Sequence, residues 1–183
     1  MKGWIIAGVV AALLVVMGIS GYNNLITLNE SINGKWAQVE NQLQRRADLI
    51  PNLVSTVKGY AAHEQAAIQA VADARAKLAG AQGPAAKGEA NSELNGALSR
   101  LLVVAENYPN LKADQNFRAL QDELAGSENR LAVARRDYND AVQMYNTKIR
   151  SFPSSLYAGM LGFGAKEYFK VEEAAKQTPQ VQF

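Results

Sequence analysis

Apolar positions along the chain fall into two regimes. Residues 3–21, GWIIAGVVAALLVVMGISG, carry no charge, and apolar side chains fill nearly every position. From residue 22 onward the large apolar residues thin out to one in three or four and become periodic. At 1.5 Å rise per residue the first run makes a helix roughly 28 Å long, close to the thickness of a bilayer's hydrocarbon core. It therefore predicts a transmembrane helix over 3–21. Trp4 and Tyr22 stand at its two ends, where amphipathic rings favour the headgroup layer. A secretory signal peptide is the competing reading, because Gly18-Ile19-Ser20 offers a small-x-small cleavage site. Its positive region would be Lys2 alone, and the apolar run exceeds the roughly 7–15 residues of such a segment. The run also passes unbroken into the periodic pattern, so a retained anchor is the expectation.

In the second regime Leu25, Leu28, Ile32, Trp36, Val39 and Leu43 recur at steps of three or four. The pattern meets Arg46 where an apolar residue belongs, then continues through Ile50, Leu53 and Val57. Spacing near 3.5 over several heptads predicts a long helix with coiled-coil-like packing. Pro51 has no amide hydrogen, so this helix is expected to kink or break near Asp48. Ile68, Val71, Ala74 and Leu78 form a second stripe, rich in small residues that admit a close neighbour. Residues 80–91, beginning Gly80-Ala81-Gln82-Gly83-Pro84, read as a flexible connection, with Ser92 as the cap of the next helix. Leu94, Leu98, Leu101, Ala105 and Tyr108 follow, and Asn107-Tyr108-Pro109-Asn110 stops them. The last helix is predicted over 114–150, with Phe117, Leu120, Leu124, Leu131, Ala134, Tyr138, Val142, Tyr145 and Ile149 on one face. Ser151-Phe152-Pro153 ends it.

The fold class is therefore all-α: an N-terminal transmembrane helix followed by an antiparallel up-and-down helical bundle of three or four long helices. The expected division is a span over 3–21, a bundle over 22–151, an apolar and aromatic segment over 152–170 and a polar tail over 171–183. The helix count has a consequence. Four helices return the chain end toward the membrane, whereas three leave it at the far tip.

A net charge of +2, with bases and acids interspersed, gives no reason to expect nucleic acid as a partner. Lys2 precedes the span, and no base follows it before Lys35, with Glu30 in between. The positive-inside rule then leans toward a domain outside the cytoplasm. The chain has no cysteine, so no disulfide staples it. His63 is the only histidine, and Ala67 stands where a second metal-binding histidine belongs. No catalytic, metal or cofactor-binding residue is expected, and the protein reads as no enzyme.

Arg46 has two readings: its head reaches water along an apolar stem near the kink, or it pairs with Glu106 or Glu128 inside the bundle and fixes register. Asp48, Glu106 and Tyr138 complete the expected structural polar core. Tyr138 and Tyr145, seven apart, are expected in the core with a hydrogen-bonded rim. Arg130, Arg135, Arg136 and Arg150 read as a solvated face, with lipid phosphates as the lesser alternative. The segment from Phe152 to Phe169 either caps the bundle or touches lipid or a neighbouring subunit. In the second case Phe152, Leu156, Met160, Leu161, Phe163, Tyr168 and Phe169 make the contact, beside Trp4 and Tyr22.

Longer motifs carry a resemblance. Arg45-Arg46-Ala47-Asp48-Leu49-Ile50-Pro51-Asn52-Leu53-Val54, Val57-Lys58-Gly59-Tyr60 and Leu101-Leu102-Val103-Val104-Ala105-Glu106-Asn107-Tyr108-Pro109-Asn110-Leu111-Lys112-Ala113 closely resemble the LemA family. So do the run from Phe117 through Leu124, Tyr138-Asn139-Asp140-Ala141-Val142, Tyr145-Asn146, Phe152-Pro153, Gly162-Phe163 and Tyr168-Phe169. The resemblance covers about 22–169. It implies a bacterial protein crossing the cytoplasmic (inner) membrane once and carrying a helical bundle, and it supplies no catalytic residues. The leading expectation is a self-associating scaffold, a homo-oligomer with the lipid bilayer as partner, that organises or remodels membrane. The alternative is an adaptor for a membrane protease, transporter or other envelope protein. A small-ligand receptor or enzyme would need a pocket around Arg46, Glu106 and Tyr138.

Overall fold

A computed structural model describes residues 2–61 and 63–170. The polar tail over 171–183 lies outside the described residues. The described residues form five α-helices: α1 (Lys2–Tyr60), α2 (Gln65–Gly80), α3 (Gly83–Ala105), α4 (Pro109–Ala113) and α5 (Gln115–Arg150). A 3₁₀ turn follows at Ser154–Leu156, and no strand occurs among the described residues. The chain divides into two compact units, one of residues 2–36 with 137–166 and one of 37–136 with 167–170.

The second unit is an up-down-up-down bundle. α1 and α5 run antiparallel, since Arg45 meets Glu123, Arg46 meets Glu128 and Tyr60 meets Asp114. α2 returns along α1, with Arg75 on Ala47, and α3 returns along α2, with Lys77 beside Glu93. The apolar stripes face one another: Val39, Leu43, Ile50, Leu53 and Val57 from α1, Ile68, Val71 and Leu78 from α2, Leu94, Leu98 and Leu101 from α3, and Phe117, Leu124 and Leu131 from α5 are all buried. Fully burying a side chain of this size contributes about 1.5–3 kcal/mol, so these stripes hold the bundle together. Ser127, at the gap in the last stripe, is buried and satisfies its hydroxyl on the Leu124 carbonyl at 2.7 Å.

Pro51 does not break α1, which continues to Tyr60. The amide missing at Pro51 would have bonded the Ala47 carbonyl four residues back. Arg75 Nε of α2 donates to that carbonyl instead, at 2.9 Å. The expected flexible connection over 80–91 shrinks to Ala81 and Gln82, because α3 starts at Gly83. Gly83 takes a φ of 76°, open to glycine, and Pro84 occupies the first turn, where its fixed φ suits a helix start. Ser92 consequently lies inside α3 and caps nothing, with Gln82 at the N-cap position.

The first unit joins the beginning of α1 to the end of α5. Lys35 pairs with Asp137 at 3.2 Å, and the Trp36 ring lies 5.2 Å from that of Tyr138, so the two helices are antiparallel here as well. Leu25, Ile32, Tyr138, Ala141, Val142, Tyr145, Ile149 and Ala158 are buried. The side chains from Trp4 to Ile19 described for α1 are exposed apart from a half-covered Gly18. After α5 the Phe152-Pro153 bond is cis, and the chain folds back to meet α1 at Gly21 and Tyr22.

Candidate functional site

In the first unit the clearest feature is a collar where the apolar run of α1 ends. The Tyr157 hydroxyl occupies the space a β-carbon on Gly21 would take, so Gly21 is required for this approach. Tyr157 also shares a hydrogen bond with Ser154 Oγ at 3.2 Å. Next to it the Tyr22 and Phe163 rings meet edge-on, 5.6 Å apart. Gly162, at φ 81°, makes the left-handed bend that turns Phe163 inward. At the other end Asn146, itself buried, clamps the main chain of Lys166. Its Oδ1 accepts the Lys166 N–H at 2.8 Å, and its Nδ2 donates to the Lys166 carbonyl at 2.9 Å. Between these clamps Ala158 is buried, while Phe152, Leu156 and Met160 are 82%, 67% and 83% exposed. Leu161 is exposed too, which concentrates four large apolar side chains in ten residues. A cluster of that kind on a surface marks a contact with lipid or protein, unlike single exposed apolar residues.

Of the other residues expected at lipid or a partner, Trp4, Tyr22 and Tyr168 are exposed and Phe163 is half-buried. Phe169 is not available for that role. It is buried in the second unit with the Arg135 guanidinium 5.9 Å from its ring centre, and the Lys170 carbonyl packs against Gly88 of α3. Residues 167–170 are thus fastened to the bundle.

In the second unit Arg46 keeps the place the stripe gave it and is 5% exposed. Its Nη1 donates to Asn91 Oδ1 at 3.0 Å and to the Glu128 carboxylate. Burial lowers the guanidinium's pKa and Glu128 opposes that shift, yet arginine remains cationic throughout the accessible range. The other expected members of the polar core lie elsewhere. Asp48 is exposed and accepts from Gln44 at 2.8 Å, since two residues along a helix turn it about 200° from Arg46. Glu106 follows the end of α3, roughly four turns from Asn91, and pairs with Lys112 in solvent. Tyr138 packs on Trp36 in the first unit.

Arg46 Nε and Asn95 Oδ1 have no protein partner, and both residues border a cavity of about 300 Å³ walled by Leu53, Leu98, Leu102 and Leu124. Neither Glu106 nor Tyr138 lines it. The cavity offers a donor, an acceptor and the Arg46–Glu128 pair, an arrangement suited to holding water or a small neutral polar group. His63 lies exposed in the turn after α1. Among the described residues no three His, Asp or Glu side chains gather as metal ligands would.

Three devices at the bundle's end escaped the sequence reading. The Tyr60 hydroxyl donates to Asp114 Oδ2 at 3.0 Å, and Asp114 Oδ1 caps α5 by accepting the Phe117 N–H at 2.9 Å. The Tyr108 hydroxyl donates to Glu64 at 2.9 Å. The Phe117 amide and then Tyr60 hold Asp114 below the usual carboxylate range, while these bonds raise both tyrosines. Only the motifs Gly59-Tyr60 and Asn107-Tyr108-Pro109 hinted at them.

Taken together, a helix long and apolar enough to cross a membrane runs directly into an all-α bundle, with an apolar collar where the apolar run ends. Those features define a helical-bundle protein with one candidate membrane span among its described residues. The chain belongs to the LemA family, whose profile matches residues 35–183. Two relatives, magnetosome proteins MamQ 2 and MamQ 1 of Paramagnetospirillum magneticum, are each 30% identical over 184 residues, covering 86% of this chain and 67% of theirs. Magnetosome protein MamQ of Magnetospirillum gryphiswaldense is 29% identical over the same shares.

Proposed function

We propose that the protein is a non-enzymatic membrane scaffold, anchored by the first part of α1, resting its collar on the bilayer surface and self-associating through its span. The observation that carries this reading is the fold-back of 152–163 onto Gly21 and Tyr22 with Phe152, Leu156 and Met160 left outward. A segment so placed meets the headgroup and acyl boundary as soon as the apolar run crosses a membrane, and burying those side chains offsets their exposure to water. A bundle cap, the other sequence reading, would have turned the same side chains inward.

Support for self-association comes from the span. Gly3, Ala7 and Ala11 recur every four residues, Gly8 and Ala12 do likewise, and nothing lies within 4 Å of a β-carbon built on Gly3 or Gly8. In lipid, small residues at that spacing let helices approach closely. The relatives are named for a cell structure and not for a reaction, which fits a structural role. Lys2, the base that precedes the span, supports a domain outside the cytoplasm.

Because the chain has no cysteine, Met160→Cys can carry a single environment-sensitive fluorophore. In vesicles holding the full chain, the label is expected to shift to the blue and to be quenched by lipid-borne quenchers. Water-like emission, insensitive to those quenchers, would overturn the interfacial reading.

A further inference from the structure

The collar also has a charge pattern that apolar contact alone does not require. From Ala141 to Lys166 the chain holds three bases, Lys148, Arg150 and Lys166, and no acid. The fold places all three along the last two turns of α5. Lys148 and Arg150 occupy its last turn, and Asn146, one turn before Arg150, holds the Lys166 main chain. Lys148 and Lys166 are half-buried, Arg150 is exposed, and Lys166 Nζ lies 6.0 Å from the centre of the Tyr145 ring.

Their height relative to the apolar run follows from register. Trp36 stands beside Tyr138, and antiparallel helices advance equally, so Arg150 comes level with about Asn24, a few ångströms past Tyr22. Residues 3–29 of α1 carry no charge. From Arg150's level the next acid along α1, Glu30, is about 9 Å further on and Asp140 about 15 Å back along α5, whereas Lys166, held at Asn146, stands about level with Glu30 and is followed by Glu167. A helix C-terminus attracts cations, which accounts for residues 148 and 150. It does not account for Lys166, which is outside the helix, nor for the absence of an acid between Ala141 and Lys166.

We propose that this collar binds the headgroups of anionic phospholipids, with Phe152, Leu156 and Met160 in the acyl boundary and Lys148, Arg150 and Lys166 on the phosphates. The proposal rests on the interfacial reading above and names its lipid partner. Arginine's planar fork suits two phosphate oxygens, and lysine stems can lie along apolar surface while their heads reach the headgroup layer. Each base at an anionic surface raises affinity about five-fold, so three together favour an anionic lipid strongly over a zwitterionic one.

The test presents the full chain in mild detergent with equal amounts of phosphatidylglycerol and phosphatidylcholine and counts retained lipids by native mass spectrometry. Phosphatidylglycerol is expected to be retained at least ten-fold over phosphatidylcholine. In Lys148→Gln/Arg150→Gln/Lys166→Gln the ratio should fall to within two-fold, while Lys58→Gln, in the last turn of α1, should leave it unchanged. Equal retention by the original chain, or undiminished preference in the triple variant, would overturn the proposal. The Met160→Cys label separates the two ideas: a label in the bilayer with equal lipid retention removes only the anionic preference, and a label in water removes the interfacial reading too.

Discussion

Replacing Arg75 with methionine probes how α1 passes through a proline. The Ala47 carbonyl is deprived of its helical donor by Pro51, and Arg75 Nε supplies the substitute at 2.9 Å. Methionine retains much of the arginine stem but donates no hydrogen bond. An orphaned buried carbonyl costs about 1–3 kcal/mol, and because Arg75 is only half-buried the lower part of that range applies, about 1–2 kcal/mol. In a chain of this length that corresponds to a melting temperature lowered by roughly 2–8 °C. The decisive comparison repeats the change in a Pro51→Ala background, where the alanine N–H can bond Ala47 itself. There Arg75→Met should cost at least about 1 kcal/mol less, because the carbonyl no longer depends on it. Unfolding of the full chain in mild detergent, followed by helical circular dichroism, measures all four variants. Equal costs in the two backgrounds would refute the link between Arg75 and Pro51.

Glu128→Ala strands a buried guanidinium and is expected to cost about 3–5 kcal/mol, whereas Arg46→Met leaves a carboxylate that can turn to water and should cost less. Unchanged melting in both variants would show that the pair contributes nothing to stability. Gly21→Val must evict the Tyr157 hydroxyl, so chymotrypsin should cut within 152–163 faster than in the original chain, and unaltered cleavage would count against the docked collar. Asp114 is held low by the Phe117 amide and Tyr60, and Glu123 by Arg45 and then Arg130. Carboxylates with depressed pKa values stabilise the fold above their unfolded values and lose that contribution as pH falls through the folded ones. Stability should therefore hold from neutrality to about pH 5 and decline below about pH 4. Asp114→Asn with Glu123→Gln should flatten that decline, and an identical acid limb in the variant would contradict the assignment.

Periodicity made the stripes legible, because burying one face is a local requirement written every three or four residues. The misfit at Arg46 allowed two readings, a head reaching water or a buried pair with Glu106 or Glu128, and the pair with Glu128 is the one that forms. What the pattern could not show were contacts chosen by three-dimensional neighbours. Asn91 looked like linker because Gly80, Gly83 and Pro84 advertised a long loop, yet Gly83 and Pro84 start a helix that carries Asn91 to Arg46. Arg75 looked like a surface base until α2 lay against the carbonyl freed by Pro51. Asp48 and Glu106 were expected beside Arg46 in one polar core, although helix geometry turns the first away and carries the second beyond reach. The aromatic tail was divided in the same way: Phe152 stays outward, whereas Phe169 is drawn onto the bundle beside Arg135.

The proposed function turns on a retained anchor whose copies gather in lipid. Its most direct measurement is the mass of the full-length chain extracted from its own membrane in lipid discs without detergent. Several intact copies per particle are expected, each with residues 3–21 present. A single copy, or polypeptide cut after Ser20 and recovered in the soluble fraction, would contradict the claim.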